Sequence, residues 1–311
     1  MPKFLVSLIL VLAGTWYILY SPNRIEDHSI FYTKGTNLYE VVRKNRTLDG
    51  VAVVFYVIEN VHKIKNRIAT GEYAVKNGDS AMTLLSRMLS GERVLRKITI
   101  PEGYTVRMIK EALMANDMLY GGIDGEIQEG SLMPDTYFYY FGDTKKSLIQ
   151  KMKNQMYVVL DRLKSKNETS LSITEAVVLA SIIEKETALD TERPLVSSVF
   201  HNRLANKMRL QSDPTLIYAM SGGYGKIDRP LARSDLAFES PYNTYTNNGL
   251  PATAICCPGE KSIIAALKPA KTDYLYFVVS PTGGSHVFSS NYAAHLKNVR
   301  NKSAARADRL S

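Results

Sequence analysis

The stretch that most constrains this fold lies between Ser172 and Leu189. Ser172 stands where a helix would begin, and Glu175, three residues on, is placed to reach back to the free backbone N–H. From Ile173 to Ile183 nearly every residue is apolar, on all sides of the helical wheel. A helix that is apolar all round belongs inside a domain, so the rest of the chain has to enclose it. The same helix ends in two carboxylates, Glu184 and Glu186, about 200° apart at about 100° per residue. Glu186 continues the row Ala176, Leu179, Ile183, whereas Glu184 continues Ile173, Val177, Ala180. A carboxyl group at the edge of an apolar core tends to have a raised pKa, which suits a general acid near neutrality. Taken alone, the stretch also reads as a buried helix fraying into a polar end, with both glutamates paired or solvated.

The 311 residues are enough for two domains and at least one sizeable core. A net charge of +9 and a pI near 9.3 favour polyanionic partners: nucleic acid, anionic lipid or a carboxylate-bearing polymer. The absence of zinc-finger spacing, an Arg-rich arm or an RNP-like aromatic motif argues against nucleic acid. Cys256 and Cys257 are adjacent, a strained arrangement for a bridge, and leave the redox compartment open. His28, His62, His201, His286 and His295 are scattered without metal-ligand spacing. Neither a metal site nor a cofactor is expected.

At the N-terminus, residues 4–20 form an uncharged run preceded by Lys3, with Trp16, Tyr17 and Tyr20 where an interfacial belt would lie. The run ends in bulky aromatics rather than a small-x-small cleavage site, and no lipoprotein cysteine follows it. It reads as an uncleaved transmembrane anchor with the body exported. Residues from about 29 to 116 then repeat a loose theme of extended run, Gly-centred turn and short helix. Extended runs at 30–35, 71–78 and 96–103 lead into helices at 37–43, 80–89 and 105–114. A further helix is expected over 51–68. Small αβ units of this kind bind or position something, or serve as a spacer between a membrane and a larger body.

An aromatic extended segment follows Glu129-Gly-Ser-Leu-Met-Pro-Asp-Thr, then an amphipathic helix over 143–164. Beyond the apolar helix, Asp190 is placed to cap another, with Pro194 in its first turn. Residues 241–251, Pro-Tyr-Asn-Thr-Tyr-Thr-Asn-Asn-Gly-Leu-Pro, form a polar and aromatic loop suited to sugar rings and hydroxyls, or simply to turns. A short helix over 261–270, a hairpin over 274–289 and a basic helix over 292–309 close the chain. The fold class is α+β: membrane helix (1–25), small αβ module (26–120) and mainly helical α+β domain (121–311) with a C-terminal hairpin.

Several segments together resemble one family. They are Tyr73-Ala-Val-Lys-Asn-Gly-Asp-Ser, Ile98-Thr-Ile-Pro-Glu-Gly-Tyr-Thr, Glu129-Gly-Ser-Leu-Met-Pro-Asp-Thr-Tyr and Ala180-Ser-Ile-Ile-Glu-Lys-Glu-Thr. Arg209-Leu-Gln-Ser-Asp-Pro-Thr, Tyr242-Asn-Thr-Tyr-Thr and Gly249-Leu-Pro complete the set. In this order, over roughly residues 30 to 310, they resemble the YceG-like endolytic murein transglycosylases. One departure is Ala252-Thr253 after Gly249-Leu-Pro-, where the family pattern has Pro-Gly. The resemblance implies a LysM-like module over 26–120 and a single-pass inner-membrane protein with its catalytic body outside the cytoplasm. It implies peptidoglycan glycan strands as substrate and cell-wall synthases as partners.

The resemblance also implies that the Glu-Thr pair, Glu186-Thr187, carries the catalytic acid, with Glu184 as second choice. Gln211, Asp213, Tyr218, Tyr242, Asn243 and Tyr245 are the candidates for sugar-binding walls, with Asn202 and Arg203 behind them. Ordinary glycosidases use two carboxylates. A lytic transglycosylase needs one, because the C6 hydroxyl of the same N-acetylmuramic acid residue closes onto C1. Two alternatives stay open. A hydrolytic muramidase would need a second carboxylate such as Asp213 or Asp235, and a non-catalytic glycan-binding scaffold would leave Glu186 incidental.

Overall fold

The computed structural model describes residues 2–22, 26–38, 40–41 and 67–307. Most of the helix expected over 51–68, and the end of that expected over 37–43, lie outside the described residues. The first helix, α1 (Pro2–Tyr20), keeps its apolar side chains exposed, with Phe4 at 77% and Trp16 at 66%. At 1.5 Å per residue it is about 28 Å long, against a hydrocarbon core of about 30 Å. Among the described residues no helix is long and apolar enough to cross a membrane. The helix expected over residues 4–20 is therefore present, but its reading as a membrane span is not shown.

Strand β1 (His28–Tyr32) pairs antiparallel with β2 (Gly71–Val75), Ile30 facing Tyr73. A second two-stranded sheet joins β3 (Leu95–Thr99) to β4 (Thr136–Tyr140), and a third joins β5 (Tyr276–Val279) to β6 (His286–Ser289). The helices are α2 (Ala81–Ser90), α3 (Val106–Met114), α4 (Lys145–Lys164), α5 (Ile173–Glu186) and α6 (Arg193–Ala205). They continue as α7 (Asp213–Met220), α8 (Glu260–Leu267) and α9 (Tyr292–Ala307). The class is mixed α+β.

The chain divides into two compact units. One holds residues 1–98, 116–122 and 137–145; the other holds 99–115, 123–136 and 146–311. In the first, Ile30, Tyr32, Tyr73 and Val75 of the β1–β2 pair close onto Ala81, Leu84, Leu85 and Met88 of α2. Helix α2 is amphipathic with that face inward. Ser80 caps it by accepting from the Thr83 N–H at 3.2 Å, and Gly91 ends it in the left-handed region at φ +75°.

In the second unit α5 is the buried axis. Every residue from Ala176 to Ile183 is buried, and each large aliphatic among them is worth about 1.5–3 kcal/mol of burial. Ser172 and Glu175 form the expected capping box. Phe200, Leu210, Ile255, Ile263 and Leu267 close around the helix from α6, α8 and the loops between. The segment 254–257 runs along α5, the Ile255 N–H donating to Ser181 Oγ at 3.0 Å. Cys256 and Cys257 are both buried and free. Asp190 does not cap α6: the cap position is Glu192, and Asp190 pairs instead with Arg193 and Lys261. Two cations attract this exposed carboxylate more strongly than one backbone N–H does.

Candidate active site

The two carboxylates that close α5 part company. The Glu184 side chain is only 7% exposed, receiving Arg193 Nη2 at 3.2 Å and the Gly259 N–H at 3.0 Å. Arg193 is itself buried and donates Nε to Ser262 Oγ at 3.0 Å. Glu184 thus holds α6 and the start of α8 against α5, with both oxygens occupied.

Glu186, on the other side, is half-buried and borders a cleft of about 170 Å³ lined by Arg203, Leu210, Gln211, Asp213, Tyr245 and Phe277. Burial pushes its pKa up to about 7. The hydrogen bond from Ser212 Oγ pulls the other way, the nearby Asp213 charge pushes upward again, and His286 and Arg203 lower it. A carboxyl group that titrates near neutrality beside an open cleft can give a proton and take one back.

The surrounding backbone is built to hold this geometry. Gln211 sits at φ +48°, a left-handed conformation uncommon outside glycine, and its N–H donates to the Thr244 carbonyl at 3.1 Å. Its neighbour Ser212 donates its own N–H to Thr244 Oγ1 at 3.0 Å. These two bonds tie the start of α7 to the loop carrying Tyr245. Tyr245 then donates its hydroxyl to Asp213 Oδ1 across the cleft. Arg203 is buried, with Nε on the Leu275 carbonyl at 2.7 Å and Nη1 on the Leu210 carbonyl at 2.8 Å. Burial lowers its pKa. Behind Glu186, Thr187 is buried and donates to Glu192 Oε2 at 3.0 Å, while His286 Nδ1 lies 2.7 Å from that same oxygen. Burial alone would raise the Glu192 pKa, but the hydrogen bonds from His286 and Thr187 bring it below its ordinary value.

Of the sequence candidates, Glu186, Gln211, Asp213 and Tyr245 come together, and Arg203 joins them. Tyr218 and Tyr242 do not line this cleft. Their rings lie 5.0 Å apart in a second cleft, where Tyr218 donates to Glu129 Oε2 at 3.2 Å. Asn243 is fully buried and folds the loop, donating to the Leu236 and Phe238 carbonyls and accepting from the Tyr245 N–H. It positions Tyr245 rather than forming a wall. Asn202 donates to the Thr272 and Tyr274 carbonyls and secures the approach to β5. Asp235 is clasped by Arg229 and capped by the Ala232 N–H, which holds its pKa down near 2, outside the Glu186 cleft. Ser212 and Glu129 were not among the sequence candidates. Both lie inside the quoted segments, Ser212 in Arg-Leu-Gln-Ser-Asp-Pro-Thr and Glu129 in Glu-Gly-Ser-Leu-Met-Pro-Asp, and only packing distinguishes them.

Comparison with known proteins identifies the family. The YceG-like family model matches residues 32–301. An endolytic murein transglycosylase of Streptococcus pneumoniae is 29% identical over 96% of this chain and 64% of its own length. One from Bacillus subtilis is 39% identical over 54% of this chain and 46% of its own. The chain therefore spans less than two thirds of the length of these curated relatives. A crystal structure of a yceG-like protein from Listeria monocytogenes superposes with a TM-score of 0.56 at 27% identity, covering 88% of this chain and 99% of that one. With the match running through both compact units and the cleft at Glu186, the chain belongs to the YceG-like family.

Proposed function

We propose that this protein is an endolytic transglycosylase of peptidoglycan, cutting the β-1,4 bond between N-acetylmuramic acid and N-acetylglucosamine within glycan strands. The observation that carries the reading is Glu186, a half-buried carboxyl on the wall of a cleft, its pKa pushed up to about 7 by burial. Protonated Glu186 donates to the glycosidic oxygen as the C1–O bond breaks, and the N-acetylglucosamine leaves with a free hydroxyl. The resulting carboxylate takes the proton of the muramyl C6 hydroxyl as its oxygen bonds to C1. The product ends in a 1,6-anhydro ring, Glu186 is protonated again, and no water is consumed. Gln211, Asp213 and Tyr245 wall the reacting sugar, with Arg203 beneath them. The curated relatives are named endolytic murein transglycosylases, which supports the same reading.

Asp213, in the same cleft, favours one second reading, a muramidase in which two carboxylates hydrolyse the bond with water. Mass spectrometry of the products separates the two. Anhydro-muramyl ends, one water lighter than reducing ends, are expected; reducing ends would select hydrolysis.

Helix α1 is the anchor of this reading, single-pass in the cytoplasmic (inner) membrane with the catalytic body outside the cytoplasm. Its exposed apolar side chains and the Lys3 at its start support that placement. Residues 26–120 act as a LysM-like module that positions residues 121–311 on the strand, within reach of cell-wall synthases. Protease added to spheroplasts should digest the chain beyond about residue 25 while sparing its first residues. A mature protein beginning after residue 20 would sink the anchor.

A further inference from the structure

The mechanism above uses the cleft at Glu186 and leaves a larger one without a role. This second cleft, about 590 Å³, is walled by Tyr218, Tyr242 and Thr253, by Gly222 and Gly223, and by the segment 126–129. Arg107 and Lys110 stand on one face of α3, three residues apart, and border it. Its floor is the carboxyl of Glu129, whose oxygens receive the Val106 N–H at 2.9 Å and the Tyr218 hydroxyl at 3.2 Å. Burial raises the Glu129 pKa, against the hydrogen bonds from Val106 and Tyr218 that lower it. Tyr242 is fixed by its hydroxyl, 3.0 Å from Thr253 Oγ1. Gly223, at φ +88°, leaves room beside the Tyr218 hydroxyl, which an added Cβ would approach to 3.7 Å. The rim is basic and partly committed. Arg107 lies 3.8 Å over the Tyr224 ring and 3.5 Å from Glu111, and Lys110 Nζ is 3.3 Å from the Gly125 carbonyl. Glu126, exposed, adds a carboxylate to the rim.

The two clefts have no lining residue in common, but two segments of the chain contribute to both. Asp213 of the Glu186 cleft and Tyr218 of the second lie on the same helix, α7, five residues apart, or roughly 7–8 Å along its axis. Tyr245 and Tyr242 lie three residues apart in one loop and divide between the clefts in the same order. Five residues also turn the helix by about 140°, so a single ligand with a sugar in the first cleft and a substituent in the second would pass around α7. The second cleft offers aromatic faces for an apolar body, two cations for a carboxylate and Glu126 for an amine. That set is poorly matched to a neutral sugar and well matched to a short zwitterionic peptide.

We propose that the Glu129–Tyr218–Tyr242 cleft binds the peptide stem carried by the lactyl group of muramic acid, with Arg107 and Lys110 receiving its carboxylates. This rests on the peptidoglycan reading above and adds to it the part of the substrate that is not sugar. A bare glycan strand would fill the first cleft and leave the second to solvent.

The test uses the full chain carrying Glu186→Gln, so that binding is read without turnover, and a soluble stem tetrapeptide as probe. Titration should shift the ring NMR signals of Tyr218 and Tyr242, and Arg107→Glu with Lys110→Glu should weaken peptide binding at least tenfold. In the chain with Glu186 intact, the same pair should lower at least tenfold the preference, in kcat/KM, for peptide-bearing over peptide-free strands. An unmoved Tyr218 and Tyr242 at about 10 mM peptide would overturn the proposal even if the charge-reversed chain failed to fold. An equal loss on both kinds of strand would make the cleft a sugar subsite and overturn it too. Loss of cleavage with peptide binding intact would count against the transglycosylase reading and leave the peptide site standing.

Discussion

The hydroxyl of Ser212 donates to Oε1 of Glu186, joining the residue before α7 to the last residue of α5. A donor aimed at a carboxylate favours its ionised form, so Ser212 opposes the burial that raises the Glu186 pKa. It also fixes which oxygen is occupied, Oε1.

Ser212→Ala removes that donor. The Glu186 pKa should then rise above about 7, and because the first step needs Glu186 protonated, the basic limb of the kcat/KM profile should move to higher pH. A hydrogen bond to a charged group is worth about 1.5–3 kcal/mol, which corresponds to about one to two pH units. Activity at pH 7 should fall, since the more basic acid is a poorer donor and the oxygen loses its fixed orientation. An unmoved limb would show that the bond does not act on Glu186.

Asp213→Asn should move the same limb the opposite way. The Asp213 charge pushes the Glu186 pKa upward, so its removal lowers that pKa and the rate should fall at lower pH than in the parent chain. Products should keep anhydro ends. Abolition of all cleavage, with the cleft intact by a crystal structure, would favour the two-carboxylate hydrolysis.

Glu184→Ala tests the other carboxylate. It would leave Arg193, only 5% exposed, without the partner at 3.2 Å, and breaking a buried pair in this way costs about 3–5 kcal/mol. Urea denaturation should show that loss of stability, while the fraction that remains folded should still cut strands. Stability within about 0.5 kcal/mol of the parent would contradict the structural role.

Gly130→Ala should be as damaging, for a steric reason. Gly130 sits at φ +78°, and an added Cβ would lie 2.7 Å from the Ala254 Cβ and 3.0 Å from Val177 Cγ1. Overpacking of this kind costs about 1–3 kcal/mol, with backbone strain added. A lowered thermal midpoint is expected; an unchanged one would mean that the segment 254–257 can move away from α5.

Much of this arrangement was legible in the sequence because it is local. The cap at Ser172, the apolar run and the angular separation of Glu184 from Glu186 follow from helical periodicity, and the structure places the two carboxylates in separate surroundings. What was not legible depends on chain segments far apart. Asn243 and Tyr245 are two residues apart in one polar loop, yet one is buried as the loop's own brace and the other faces the cleft. Tyr218 and Asp213 share a helix but serve different clefts, because only the long-range approach of Glu129 decides where the tyrosine hydroxyl goes. Asp190 failed as a cap for a related reason: Lys261, 71 residues away, competes for it.

The most direct measurement is strand cleavage by Glu186→Gln. Glutamine keeps the shape of the side chain but neither gives a proton to the glycosidic oxygen nor takes one from C6. General acid–base catalysis is typically worth about 10²–10⁴-fold, and here both halves of the cycle are lost together. The variant should fold, bind glycan strands and cut them at least about 10²-fold more slowly than the parent chain, with no anhydro-muramyl ends accumulating. Cleavage at the parent rate, with the same ends, would contradict the assignment of the chemistry to Glu186.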